Sequence, residues 1–215
     1  VEKSMTDSVL VAEHPAGDRV IGQLTLNVEK TLNSLTREMV EIITDRLEAW
    51  ADDARVAAVL IDGAGEKAFC AGGDVQALRN SCIETPGGPC EYAEHFFARE
   101  YRMNYLMHTY AKPVICWGHG VVMGGGLGIL AGCRYRVVSE RTRIGMPEIT
   151  IALFPDVGGS WFLNRMPGQV GPLSGADVFP HQRHGRALLW AGYALPCQRA
   201  EGRCTRRPHH AGVVS

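Results

Sequence analysis

Apolar and polar positions change their period several times along the chain, and each change marks an element. VLVAEH (9–14) and RVIGQLTLN (19–27) flank the turn residues PAGD, so they read as two strands joined by a tight connection. From Leu35 to Trp50 the period lengthens. Met39, Ile42, Ile43, Leu47 and Trp50 recur at spacings of three and four with Glu, Asp and Arg between them, which is the stripe of an amphipathic helix. Val56 to Ile61 is a short unbroken apolar run, the pattern of a strand buried on both faces. The Gly-rich stretch GAGEKAFCAGGD (63–74) follows it, and SCIETPGGPC (81–90) reads as a loop. Tyr92 to Tyr110 reads as a long aromatic-rich helix, PVICW (113–117) as a second buried strand, GHGVVMGGGLGILAGC (118–133) as a Gly-rich turn entering a helix, and YRVVS (135–139) as a further strand. Strand, Gly-rich loop and helix thus occur twice, at 56–80 and 113–133. Strands alternating with helices point to the α/β class.

From about Gln169 the pattern stops. The remaining stretch has no Lys, Ile or Asn and holds six of the chain's Arg and four of its eight His. Only ALLWAGYAL within it has the character of a packed segment. One reading is a basic tail without a core of its own. The other is a coding frame lost near position 170, because Arg, Gly, Pro, Ala and His are what a shifted frame of GC-rich DNA yields. Both divide the chain into a core over 1–168 and an atypical, poorly ordered tail over 169–215.

With 215 residues, 46% of them apolar and 21% charged, the chain is long enough for one domain with a sizeable core. A net charge of −1 gives no basic field for nucleic acid. The seven Cys are odd in number and form no CxxC pair, so neither a disulfide framework nor a zinc site is expected. A reducing compartment, read as the cytoplasm, suits them. No apolar run has the length of a membrane span, and VEKSMTDSVL lacks the apolar core of a signal peptide. Met5 reads as a natural start preceded by a short extension.

Neither Gly-rich loop matches a P-loop, and no GxGxxG follows the first strand, so phosphate-cradling and dinucleotide-binding motifs are disfavoured. Glycines of this kind ordinarily serve tight turns and close packing. Two such loops, each after a buried strand and before a helix, suggest more. Their backbone N–H groups can converge on one oxyanion, suiting chemistry through a thioester enolate or a tetrahedral intermediate. MPEITIALFPDVGG (146–159) carries two acids, each straight after a proline, in an otherwise apolar run. Asp156 reads equally as the N-cap of the helix WFLNRM. Glu148 has no capping role, and beside an oxyanion hole it would serve as general base or nucleophile. His119 in WGHG reads as structural, and Glu94 and Glu100 read by default as solvated acids of an aromatic helix. Cys70 has no His near it in sequence, and there is no Gly-x-Ser-x-Gly elbow.

Together these residues resemble the crotonase superfamily, the enoyl-CoA hydratase/isomerase family. The motifs are LTLN…LNSL (24–35), GAGEKAFCAGGDV (63–75), KPVICWGHGVVMGGGLGI (112–129) and MPEITIALFPDVGGSWFLNR (146–165), and the likeness covers about residues 8–168. AFCAGGD, HGVVMGGGLG, MPE and FPDVGG are most similar to members that hydrolyse 3-hydroxyacyl-CoA thioesters of the 3-hydroxyisobutyryl type. The resemblance implies a spiral core of repeated ββα units. It implies a thioester carbonyl held by the N–H groups of Gly73 and Gly125, with Gly124 beside them. Lys67, Ala68, Ala71, Gly72 and Asp74, in the loop before the second helix, would line the adenine and pantetheine path. Hydratases of the family use two glutamates; one falls on Glu148 and the other on Gly128, which has no side chain to act. Hydrolase-like members keep the first and add an acid at Asp156, with another at Glu100 near the substrate hydroxyl. No cofactor is implied beyond the CoA of the substrate, and a homo-oligomer of trimer type is.

The chain departs from the family in two places. Asn27-Val28-Glu29 stands where Asn-Arg-Pro is common, which would loosen one edge of the CoA site. The family also continues well beyond Pro167, with helices that close the acyl pocket. The competing functions are an enoyl-CoA hydratase or isomerase, against which Gly128 counts, and a CoA-binding protein without activity. A peptidase on the related spiral fold would need a Ser-His-Asp set, and none is evident in motif context.

Overall fold

The computed structural model describes residues 8–165 and the strand Ala194–Pro196. The reading of the tail from Gln169 onward therefore lies outside the described residues, that strand excepted. Strands β1 (Val9–Ala16) and β2 (Arg19–Leu26) pair antiparallel, with Val9 opposite Leu26 and Ala16 opposite Arg19. Helix α1 (Arg37–Asp52) is capped by Thr36, whose hydroxyl accepts from the Met39 N–H at 3.2 Å. It buries Met39, Val40, Ile43, Leu47 and Trp50, close to the stripe read from the sequence.

From there the chain repeats one device three times. A longer strand joins a large sheet, and a three-residue strand then joins a small one. The pairs are β3 (Val56–Gly63) with β4 (Ala68–Cys70), β5 (Val114–Gly118) with β6 (Val121–Met123), and β7 (Tyr135–Val138) with β8 (Arg143–Gly145). Helix α2 (Val75–Glu84) follows the first pair, α4 (Gly125–Gly132) the second, and a 3-10 turn (Pro147–Ile151) with α5 (Gly159–Leu163) the third. The large sheet has the order β1-β2-β3-β5-β7-β9, β9 being Ala194–Pro196, and is parallel from β2 onward. The small sheet, β4-β6-β8, is parallel throughout. This is the spiral of ββα units that the resemblance implies. Its core includes Leu24, Ile61, Phe69, Val122 and Leu127, all essentially inaccessible to solvent.

Helix α3 (Glu91–His108) lies outside the spiral, against α1 and α4, and brings Glu100 inward. The segment read as a loop over 81–90 is helical as far as Glu84, the end of α2. The connection to α3 sets the Cys82 and Cys90 sulfurs 3.1 Å apart. Among the described residues every Cys is a free thiol, and no helix is long and apolar enough to cross a membrane.

Candidate active site

The two Gly-rich loops meet. A Cβ built on Gly72 would lie 3.7 Å from the Gly125 nitrogen, and one on Gly124 would lie 3.5 Å from the Gly72 Cα. Two backbone bonds orient the first loop: Leu35 N–H donates to Gly72 O at 2.8 Å, and Asp74 N–H donates to Leu35 O at 2.9 Å. In such a parallel bridge the residue between turns its own N–H the opposite way. Gly73 N–H accordingly has no backbone acceptor among the described residues. Gly125 opens α4, so its N–H belongs to the first turn, which has no intrahelical acceptor. Gly124, with φ of 49°, donates its own N–H to Gly145 O at 3.2 Å. That bond holds the end of β8, and so Met146-Pro147-Glu148, against the second loop.

Three buried carboxylates come to this place from separate elements. Glu100 comes from α3, Glu148 from the 3-10 turn and Asp156 from the loop before α5, with exposures of 2%, 7% and 7%. Glu148 Oε1 would lie 2.7 Å from a Cβ on Gly124, and a Cβ on Gly125 would collide with Glu100 Oε1. Each acid is pushed away from ionisation. Burial, with the neighbouring Asp156 and Glu148, raises Glu100 to about 8. Burial also raises Glu148 to about 7, opposed by its own backbone N–H and reinforced by Asp156. Asp156 is raised by burial and held back by the Tyr101 hydroxyl, which donates to Oδ2 at 2.8 Å. Glu100 Oε1 and Glu148 Oε2 are buried without a hydrogen-bond partner among the described residues.

Asp156 is not the cap its sequence context allows. The N-cap of α5 is Gly158, and no side chain caps that helix. Asp156 is followed by two residues in left-handed conformation, Val157 at φ 43° and Gly158 at φ 84°. That is rare for a β-branched residue and marks local strain. Val157 fills the space over Gly128, where a Cβ would stand 2.6 Å from the Val157 Cβ. A cavity of about 380 Å³ opens next to Asp156 between α3, α4 and α5. Tyr101, Asn104, His108, Phe154 and Trp161 are among its lining residues.

The remaining candidates fall to supporting positions. Asp74 Oδ1 accepts from Gln76 and Ala77 N–H, both at 3.1 Å, and so caps α2. Lys67 is exposed, Ala68 is buried in β4 and Ala71 N–H bonds Leu32 O at 3.0 Å. Cys70 is buried and its thiol is pushed up to about 12, which removes it as a nucleophile. His119 has its Nε2 2.9 Å from Gly65 O, a link between loops. Sequence reasoning missed Asn33. Its amide donates to Ala64 O at 3.0 Å and Ala68 O at 3.1 Å, and its carbonyl accepts from Val28 N–H at 2.9 Å. Asn33 thus pins both ends of the 64–68 segment to the turn after β2. Tyr101 and Val157 were missed as well.

The sequence profile of the enoyl-CoA hydratase/isomerase family matches residues 21–194. The small ribosomal subunit protein mS47 of Neurospora crassa is 44% identical over 150 residues, covering 70% of this chain and 29% of the relative. The mitochondrial 3-hydroxyisobutyryl-CoA hydrolase of Danio rerio is 43% identical over 150 residues, covering 70% of this chain and 38% of the relative. The carnitinyl-CoA dehydratase of Mycobacterium thermoresistibile superposes with a TM-score of 0.79 at 39% identity, over 89% of this chain and 54% of that one. The chain therefore spans well under half the length of these two curated relatives.

Proposed function

The chain belongs to the enoyl-CoA hydratase/isomerase family, and from that premise we propose that it hydrolyses a 3-hydroxyacyl-CoA thioester of the 3-hydroxyisobutyryl type to the free acid and CoA. The observation that carries this reading is the pairing of Glu148 and Asp156 beside the two glycine loops, while Val157 closes the position over Gly128. Thioester cleavage needs Glu148 at the reacting carbon, with Asp156 beside it. Hydratases of the family carry their second glutamate at the position of Gly128, which has no side chain and is covered by Val157.

In this scheme Gly73 and Gly125 N–H donate to the thioester carbonyl oxygen and take up the charge it gains as the carbonyl becomes tetrahedral. Glu148, as carboxylate, either removes a proton from the attacking water or attacks the carbonyl itself; in the second case water then cleaves the anhydride. Collapse breaks the C–S bond: on the base route the proton that Glu148 took from water goes to the departing CoA sulfur, and on the nucleophilic route CoA leaves as the thiolate and takes its proton from the water that cleaves the anhydride. Asp156 orients the water and the glutamate. Glu100, protonated over much of the neutral range, donates to the substrate 3-hydroxyl. The CoA arm runs along Lys67, Ala68, Ala71 and Gly72, with Asp74 holding the following helix in place. The scheme calls for no cofactor beyond the CoA of the substrate. A trimer-type assembly belongs to the same proposal and is read by sedimentation. The hydrolase relative is mitochondrial, which favours a mitochondrial over a cytoplasmic reducing compartment.

A second reading has one observation behind it: a relative 44% identical is named as a ribosomal protein. On that reading the fold is kept without turnover. Thiol release over a panel of acyl-CoAs separates the two. Release from 3-hydroxyisobutyryl-CoA supports the hydrolase, and no release with CoA still bound supports the non-catalytic reading.

A further inference from the structure

Among the described residues no ion pair joins a cation to the three carboxylates of the site. The ion pairs of the described residues join Arg37 to Glu41, Arg55 to Glu13 and Asp53, and Arg102 to Glu48, all elsewhere. Carboxylates buried together without a counter-ion do not all ionise. Where the charge sits then decides what the cluster can do. Glu100 and Glu148 each keep a buried oxygen without a partner among the described residues. Asp156 has a side-chain donor, the Tyr101 hydroxyl.

We propose that Tyr101 is a positioning residue that fixes the cluster's first negative charge on Asp156, leaving Glu148 and Glu100 as the groups that exchange protons. This rests on the hydrolase reading above. The geometry suits the role. Tyr101 follows Glu100 on α3, and one helix residue turns through about 100°, so one side chain enters the core while its neighbour skirts the cavity edge. Phe97 braces the ring from one turn earlier, with centroids 5.7 Å apart. Burial and the Asp156 carboxylate hold the phenol above its ordinary range, so at neutral pH it only donates to Asp156.

Among the described residues the groups around Asp156 are few. Helix α3 contributes Glu100 and Tyr101, and Tyr105 and His108 line the same cavity, the His108 ring packing on Trp161. The 3-10 turn contributes Glu148. From α4 and α5 come Gly128, Ala131, Ser160 and Trp161, none of which ionises, and Arg165, just past α5, lies over the outer Trp161 ring at 4.2 Å from its centroid. Tyr101 is thus the group whose loss changes the proton affinity of Asp156 with the least rearrangement. A charge fixed on Asp156 also raises Glu148 and Glu100, which places Glu148 near neutrality, where a general base works best.

The experiment uses the full chain and Tyr101→Phe. Two quantities are followed against pH: thiol release from 3-hydroxyisobutyryl-CoA, and the carbon-13 shift of the Asp156 carboxyl, assigned by its loss in Asp156→Asn. Removing the donor should raise the Asp156 midpoint by about one pH unit, a tenfold change in proton affinity. The acid limb of the rate profile, set by Glu148, should move the other way, to lower pH, because Asp156 then holds less of the charge that raises it. A loss equal at every pH, with the carboxyl midpoint unmoved, would assign Tyr101 a merely structural role and overturn the proposal. If Tyr101→Phe fails to fold, Asp156→Asn answers instead. Its surviving acid limb, set by Glu148, should move to lower pH because the anion that raises it is gone, and an unmoved limb overturns the proposal. A wild-type chain that releases no thiol refutes the hydrolase reading, while the carboxyl midpoints still decide the part of Tyr101.

Discussion

Val157 stands where any side chain at Gly128 would have to go, 2.6 Å from a Cβ built there. The contact is between a buried β-branched residue and a helix backbone, so neither side yields easily. Gly128→Glu should therefore not restore a hydratase pair. Overpacking of this kind costs about 1–3 kcal/mol, and the variant should melt below wild type and leave crotonyl-CoA untouched. Gly128→Glu with Val157→Gly should recover stability, since glycine also accepts the left-handed backbone there. Thermal denaturation of both variants reads this directly.

Glu148→Gln should lower thiol release by at least about a hundredfold, as loss of a general base or nucleophile does. The folded chain should not suffer, because the amide replaces a carboxyl that burial already holds toward its neutral form. Steady-state rates and a melting curve on the same preparation separate the two effects. A rate near wild type would remove Glu148 from the chemistry.

Stability should fall as pH rises. Glu100 is raised from 4.5 to about 8 and Glu148 from 4.5 to about 7, so the folded state holds protons that the unfolded chain has released. Their contribution is fully present below about 4.5 and is lost as pH climbs through 7 and then 8. Urea midpoints across this window should decline, and Glu100→Gln should flatten the upper part of the decline. A slope that Glu100→Gln leaves unchanged would mean that Glu100 ionises normally.

At Gly125 the constraint is close approach. A Cβ would press on Glu100 Oε1 and lie 3.1 Å from Leu35 Cδ1. Gly125→Ala should displace the Glu100 carboxyl and the amide beside it. We expect a loss of about a hundredfold or more in kcat/KM with a stability cost of about 1–3 kcal/mol. Asp74→Ala, by contrast, removes the cap of α2 and should cost about 1 kcal/mol of stability, with a far smaller effect on rate.

The long elements were legible because their periods are long enough to repeat. The stripe of Met39, Ile43 and Leu47 and the apolar run through Ile61 needed no structure to be recognised. β4, β6 and β8 were not, since three residues have no period to read. Glu148 and Asp156 drew notice as acids in apolar surroundings, but their meeting with Glu100 is a fact of topology joining α3 to the third ββα unit. The cap reading of Asp156 failed because two left-handed residues separate it from α5. Nothing in a valine's identity announces that conformation. Tyr101 looked like one more aromatic of an aromatic helix; its place next to Glu100 was the available signal.

The most direct test is thiol release and double-bond hydration measured side by side on the chain, with 3-hydroxyisobutyryl-CoA and crotonyl-CoA as substrates. CoA should be released from the first, with release lost in Glu148→Gln, and the second should not be hydrated. Hydration of crotonyl-CoA, or thiol release that persists without Glu148, would contradict the hydrolase reading.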